Sequence, residues 1–116
     1  MALSPGLILS NADSLALDAL GSPVRRRILQ RLAARPATVG ELARHFPVSR
    51  PAVSKHLKLL KQAGLVSHQQ EGTRHRYCLD RRGFAAAEAW LQQFWTEALE
   101  NFRLVAESTY GDTGDE

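Results

Sequence analysis

Residues 38–65 read TVGELARHFPVSRPAVSKHLKLLKQAGL, a short helix, a three-residue turn and a second helix. Thr38 and Glu41 form a T-x-x-E capping box, in which each side chain satisfies an orphan backbone N–H of the other's turn. Val39, Leu42, Ala43 and Phe46 fall on one face of the first helix. Pro47-Val48 forces a turn and Ser49 caps the next helix. Pro51 in that helix's first turn costs no hydrogen bond, because those amides have no intrahelical partner. Val53, Leu57 and Leu60 hold the second helix against the first, and Gly64 closes it in the left-handed cap position. The face left exposed carries Arg50, Ser54, Lys55, Lys58 and Lys61. A helix-turn-helix with a basic reading helix makes double-stranded DNA the first partner to consider.

Upstream, Ala12, Leu15, Ala16, Ala19 and Leu20 recur at helical spacing and predict a first helix ending at Gly21. Ser22-Pro23 reads as an N-cap followed by proline at the first helical position. The helix that follows is expected to bury Val24, Ile28, Leu29 and Leu32 and to stop before Pro36. It exposes Arg25, Arg26, Arg27 and Arg31, which either touch phosphates or only solvate the helix. Downstream, Leu65–Gln70 and Thr73–Leu79 flank Glu71-Gly72. Alternation of His75, Tyr77 and Leu79 with Arg74, Arg76 and Cys78 predicts a two-stranded hairpin, with Arg74 and Arg76 presented near its tip. A hairpin placed directly after a reading helix is a wing.

From Phe84 to about Glu107 no Pro or Gly interrupts the chain. Phe84, Ala87, Leu91, Phe94, Trp95, Ala98, Phe102 and Val105 make an apolar stripe on a predicted helix of roughly 35 Å. A domain this small does not cover such a stripe alone, so a second copy is expected to bury it. Leu15, Leu91, Phe94, Trp95, Ala98 and Phe102 are the expected dimer contacts. The other reading folds the helix wholly onto its own core. The expected organisation is one winged domain over residues 1–107 and a disordered acidic tail over 108–116.

Length and composition agree with one mainly helical domain. The chain has 116 residues, 44% hydrophobic and 23% charged, which is ordinary for a soluble globular protein. No apolar run approaches the roughly 20 residues that span a bilayer, so no membrane partner is expected. The opening MALSPGLILS lacks a basic start and its apolar run is too short for a signal peptide, which favours a cytoplasmic location. The net charge of +3 conceals an asymmetry: residues 25–82 hold fourteen Lys/Arg against Glu41, Glu71 and Asp80, while residues 83–116 hold Arg103 against seven acids. Charge concentrated in this way suits a surface that meets phosphates.

The element order and three segments resemble the ArsR-type bacterial repressors. LGSPVRRRILQRL (20–32) is similar to that family's second helix, residues 38–66 to its helix-turn-helix, and QQEGTRHRYCL (69–79) to its wing. The likeness runs over about residues 15–105 and implies a winged-helix homodimer, joined through its first and last helices, that occludes promoter DNA and often regulates its own operon. The family commonly has S-Q-P-T-V-S-x-H at the start of the reading helix. Here Arg50 stands for the glutamine and Ala52 for the threonine. Arginine favours the O6/N7 edge of guanine where glutamine favours adenine, so a different operator is expected. Ser49, Arg50, Ser54 and Lys55 are the base-reading candidates, whereas Lys58, Lys61, Arg74 and Arg76 are better placed for phosphates. His56 is either a base contact or a packed or capping side chain.

Many relatives bind metal through a cysteine pair in the first helix of the helix-turn-helix, yet residues 38–46 contain no cysteine. Others use His and acidic ligands on the last helix, which here carries Glu88, Glu97, Glu100 and Glu107 but no histidine. His45, His56, His68, His75 and Cys78 do not make a recognisable ligand set. No metal or cofactor is therefore expected, and no motif points to an effector. Cys78, the single cysteine, is either a redox switch among arginines or a small apolar residue on a strand. The first rival function is a winged-helix protein-interaction module, which has no reason to keep lysines along its reading helix. The second is an enzyme, for which no nucleophile–base pair, phosphate loop or carboxylate pair stands in context.

Overall fold

Capping chemistry sets the helix starts. In the computed structural model, which describes the backbone from Asn11 to Gly114 and side chains from 14 to 108, α1 (Asn11–Leu20) is followed by α2 (Pro23–Ala34). Ser22 is extended at φ −96°, its Oγ accepts the Arg25 N–H, and Pro23 sits in the first turn. Pro36 then keeps Arg35 extended, at φ −170° and ψ 156°. The opening decapeptide, for which no signal peptide was expected, lies outside the described residues.

Thr38 begins α3 (Val39–His45) with the expected box: the Glu41 N–H donates to Thr38 Oγ1 at 3.2 Å, and the Thr38 N–H donates to Glu41 Oε2 at 3.4 Å. Ser49 caps α4 (Arg50–Gln62) by accepting the Ala52 N–H at 3.3 Å. That helix ends in a Schellman motif. The Leu65 N–H reaches Leu60 O and the Gly64 N–H reaches Lys61 O, both at 3.0 Å, with Gly64 at φ 73°. The core gathers one face of each helix: Ile28, Leu29 and Leu32 from α2, Leu42 from α3, Val53, Leu57 and Leu60 from α4, with Leu65 and Val66 beneath the wing.

The wing is a three-stranded antiparallel sheet where a two-stranded hairpin was expected. Its order is β1 (Ala37–Thr38), β3 (Arg74–Leu79), β2 (Val66–Glu71). Thr38 pairs with Arg76 and Ala37 with Tyr77. The added strand is a by-product of capping, because an N-cap residue already has an extended backbone (Thr38, φ −87°, ψ 166°) that the neighbouring strand can pair with. Two residues are too few to show alternation in sequence. Across the hairpin Glu71 pairs with Arg74, leaving Gly72-Thr73 as the turn, with Gly72 at φ 62°.

The last helix, α5 (Arg81–Gly114), starts before the expected Phe84 and continues past the expected end at Glu107. Its start is set by tertiary contact. The Gly83 N–H donates to Gly64 O at 2.8 Å and the Asp80 N–H to Leu65 O at 2.9 Å, while Asp80 Oδ1 accepts the Arg82 N–H at 3.0 Å. Its far end runs on through residues 108–114, part of the stretch assigned to the acidic tail. Once a helix is nucleated, each added residue gains a hydrogen bond, and the segment has no proline to stop it. Asp115 and Glu116 lie outside the described residues.

α1 packs on α5, and Ala16 and Ala87 are buried. Beyond Ala87 the apolar stripe is bare: Leu91, Trp95 and Phe102 are 52%, 58% and 72% exposed, and Phe94 is exposed too. Val105 is exposed as well, Leu99 widens the stripe, Ala98 is half-buried, and Leu15 of α1 is exposed. The molecule is 74 Å long and 22–26 Å across, and the reading of α5 as folded onto its own core is excluded.

Candidate nucleic-acid interface

Burial of Val53, Leu57 and Leu60 turns the opposite arc of α4 to solvent. Arg50, Ser54, Lys55 and Lys58 lie on that arc, all exposed. Arg50, Lys55, Lys58 and Lys61 take part in none of the ion pairs among the described residues. Lys61 is also exposed, but it stands about 16 Å along the helix from Arg50, beside Gly64, Arg82 and Gly83 at the junction with α5. Ser49 is occupied as the helix cap and Ala52 is half-buried.

The wing meets the start of α4 across an open cleft of about 520 Å³. Gly40, Glu41 and Arg44 of α3, Arg50 and Ser54 of α4, and Thr73, Arg74 and His75 of the wing line it. The bare Cα of Gly40 matters here: a Cβ at that position would meet the Arg50 guanidinium, which lies across the first turn of α3. The cleft therefore brings together Arg50, Ser54 and Arg74. Arg44 was not anticipated from sequence, where a lone arginine in the last turn of a short helix looks like any solvated charge. Only the fold aligns it with the wing.

Five sequence-derived positions have other surroundings. Arg76 is half-buried between two carboxylates, with Nε 3.0 Å from Glu71 Oε2 and a terminal nitrogen 3.6 Å from Glu41 Oε2. Arg25 and Arg26 are tied to the backbone just before their own helix. Arg25 donates to Ala19 O at 2.9 Å and Asp18 O at 3.2 Å, and Arg26 to Leu20 O at 2.8 Å. They satisfy the last carbonyls of α1 and complement its dipole. His56 is half-buried, its Nδ1 has no partner among the described residues, and the charges of Arg25 and Lys55 act on it. It is a packed side chain on the edge of the reading arc. Cys78 is half-buried, with Sγ 3.3 Å from Ser67 Oγ.

Burial, then Arg25 and Lys55, push the His56 pKa below its ordinary 6.5. Burial, then Lys61 and His75, do the same to His68. Both imidazoles are thus held neutral more firmly in the fold than in the unfolded chain. The stability they contribute is present above about pH 6.5 and is lost as pH falls through the lower folded values. The melting temperature followed by circular dichroism should decline from pH 7 to pH 5, and His56→Gln with His68→Gln should blunt that decline. An identical decline in the double variant would show that these histidines are not its source.

A helix-turn-helix with a basic outer arc, a sheet wing beside its leading end and no acidic residue on that arc defines the winged helix-turn-helix class of DNA-binding proteins. Known proteins sharpen this. A family model described as a helix-turn-helix domain matches residues 20–69. The HTH-type transcriptional regulator Rv2034 of Mycobacterium tuberculosis is 51% identical over 98 residues, covering 84% of this chain and 92% of the relative. The crystal structure of the ArsR family transcriptional regulator RHA00566 superposes with a TM-score of 0.67 at 34% identity, covering 74% of this chain and 98% of the other. A solution structure of Mb0332 from Mycobacterium bovis, described as a homodimeric winged helix-turn-helix DNA-binding domain, has a TM-score of 0.59 at 29% identity, covering 78% of this chain and 84% of that one. The chain belongs to the ArsR family of transcriptional regulators.

Proposed function

We propose that the protein is a homodimeric, sequence-specific repressor that binds an inverted-repeat operator in the cytoplasm and blocks access to promoter DNA. The carrying observation is the spatial coincidence of the wing cleft with a basic arc on α4 that makes no ion pair among the described residues. The bare stripe on α5 supports the dimer, since an exposed apolar strip of this length calls for a partner surface. Two reading helices related by a two-fold axis would enter successive major grooves about 34 Å apart. Ser49, Arg50, Ser54 and Lys55 are assigned to the reading end, with Lys58, Lys61 and Arg74 on the backbone. On this reading the chain is no enzyme. A protein-interaction module is disfavoured by the unneutralised lysines.

Selection of bound duplexes from a random pool tests the proposal: an enriched inverted repeat is the expected result, and no enrichment overturns it. With about four phosphates neutralised per protomer, log affinity against log salt should have a slope near −7 per dimer. A flat response in fluorescence anisotropy counts against DNA as the partner. Arg50→Ala should relax base choice at one position per half-site, removing about 1–3 kcal/mol of discrimination. Lys58→Ala should instead weaken all duplexes alike, which competition assays with matched and mismatched duplexes would separate.

A further inference from the structure

We infer that Arg76 is a positioning strut for the wing, and that the phosphate ligand facing Arg74 across the cleft is Arg44. The inference deepens the DNA-binding reading and rests on it. Arg76 leaves the middle of β3 and bridges two elements: Nε is bound to Glu71 of β2 at 3.0 Å, and a terminal nitrogen lies 3.6 Å from Glu41 of α3. The same Glu41 oxygen accepts the Thr38 N–H at 3.4 Å, so the capping box of the helix-turn-helix is the anchor point. Two carboxylates already offset its charge, so a phosphate approaching this guanidinium would have to compete with them. Exposed ion pairs add little to folding stability; what this bridge supplies is orientation, holding the hairpin against α3 so that Arg74 overhangs the cleft.

Arg44 has the opposite surroundings. It is exposed, makes no ion pair among the described residues, and lines the cleft together with Arg50 and Arg74. Three guanidinium-bearing side chains from α3, α4 and β3 thus border one concave surface, which Ser54 and Thr73 also line. Among the described residues the carboxylate on that surface is Glu41, and it is already engaged by Thr38 and Arg76. Such convergence suits a phosphodiester of a backbone running between reading helix and wing. The cleft is open and shallow, and a small anion would be poorly enclosed in it.

The test is a salt titration of the full-length chain on a duplex of about 30 base pairs, by fluorescence anisotropy over roughly 50–200 mM salt. Arg44→Ala and Arg74→Ala should each reduce the magnitude of the log–log slope by about 1.8 per dimer, one phosphate for each protomer. Arg76→Ala should leave the slope at the wild-type value while lowering affinity several-fold, and Arg76→Lys should do no better, because one ammonium does not span both carboxylates. In the Arg76→Ala background, Arg74→Ala should still reduce the slope by about 1.8 per dimer, because the Arg74 charge stays near the backbone even when the wing is less well oriented. Melting temperatures of all variants should stay within a few degrees of wild type. If Arg76→Ala flattens the slope as Arg74→Ala does and Arg76→Lys restores it, or if Arg76→Ala is without effect, the strut is overturned. An unchanged slope in Arg44→Ala overturns the ligand assignment. Wild-type protein that binds no duplex even at low salt ends the DNA-binding reading along with this one.

Discussion

Trp95→Glu combined with Phe102→Glu yields a protein that sediments as a monomer at micromolar concentration and binds operator at least a hundredfold more weakly. Both side chains are more than half exposed on one chain and lie on the stripe that runs from Leu91 to Val105. Each contributes roughly 1.5–3 kcal/mol when fully covered, and a glutamate at either site would have to be desolvated opposite apolar neighbours. Loss of the dimer then removes the bivalency of two linked half-sites, an effect of about 10²–10⁴ in affinity without any change in the reading surface. Because neither residue belongs to the core of the single chain, circular dichroism should show the helical content retained. A variant that stays dimeric would place the contact elsewhere; a monomer that keeps full operator affinity would remove the need for two half-sites.

Gly83→Ala should lower the melting temperature by roughly 10 °C or more. A Cβ at this position would stand 2.6 Å from Ala63 O and 2.7 Å from both the carbonyl carbon and oxygen of Gly64. These are backbone atoms inside a Schellman motif, so no rotamer change relieves the overlap. Moving the two backbone segments apart would break the Gly83 N–H bond to Gly64 O. Overpacking without relief costs about 1–3 kcal/mol, and the lost hydrogen bond adds roughly 1 kcal/mol; for a domain of about this size each kcal/mol corresponds to at least about 4 °C. Gly64→Ala meets a milder obstacle, since its Cβ would only touch Gly83 at 3.4 Å and the penalty is mainly the positive φ. Thermal melts that rank Gly64→Ala as the more damaging change would contradict this account of the α4–α5 junction.

Much of the architecture was legible because local chemistry and burial agree. Thr38 with Glu41, Ser49 with Pro51, and Gly64 mark helix ends by satisfying orphan backbone groups, and such signals lie within a few residues of each other. The α5 stripe was legible for the same reason: helical periodicity brings Phe94, Trp95 and Phe102 onto one side wherever the helix sits. The exposed arc of α4 followed from the positions of Val53, Leu57 and Leu60 alone. The pairing of Ala37-Thr38 with the wing could not be read in this way, because it joins residues nearly forty positions apart through backbone groups that every sequence possesses.

The arginines divide along the same line. Sequence marks all of them as charged, and charge density alone directs the chain toward nucleic acid. Which guanidinium is free is a question of neighbours. Arg25 and Arg26 are drawn to the carbonyls ending α1, Arg76 to Glu41 and Glu71, whereas Arg44, Arg50 and Arg74 line one cleft and make no ion pair among the described residues. Helix and turn formation depends on contacts within a few residues and is written locally. The partner of a long flexible side chain depends on which distant elements fold up beside it, and that is decided only when the chain closes on itself.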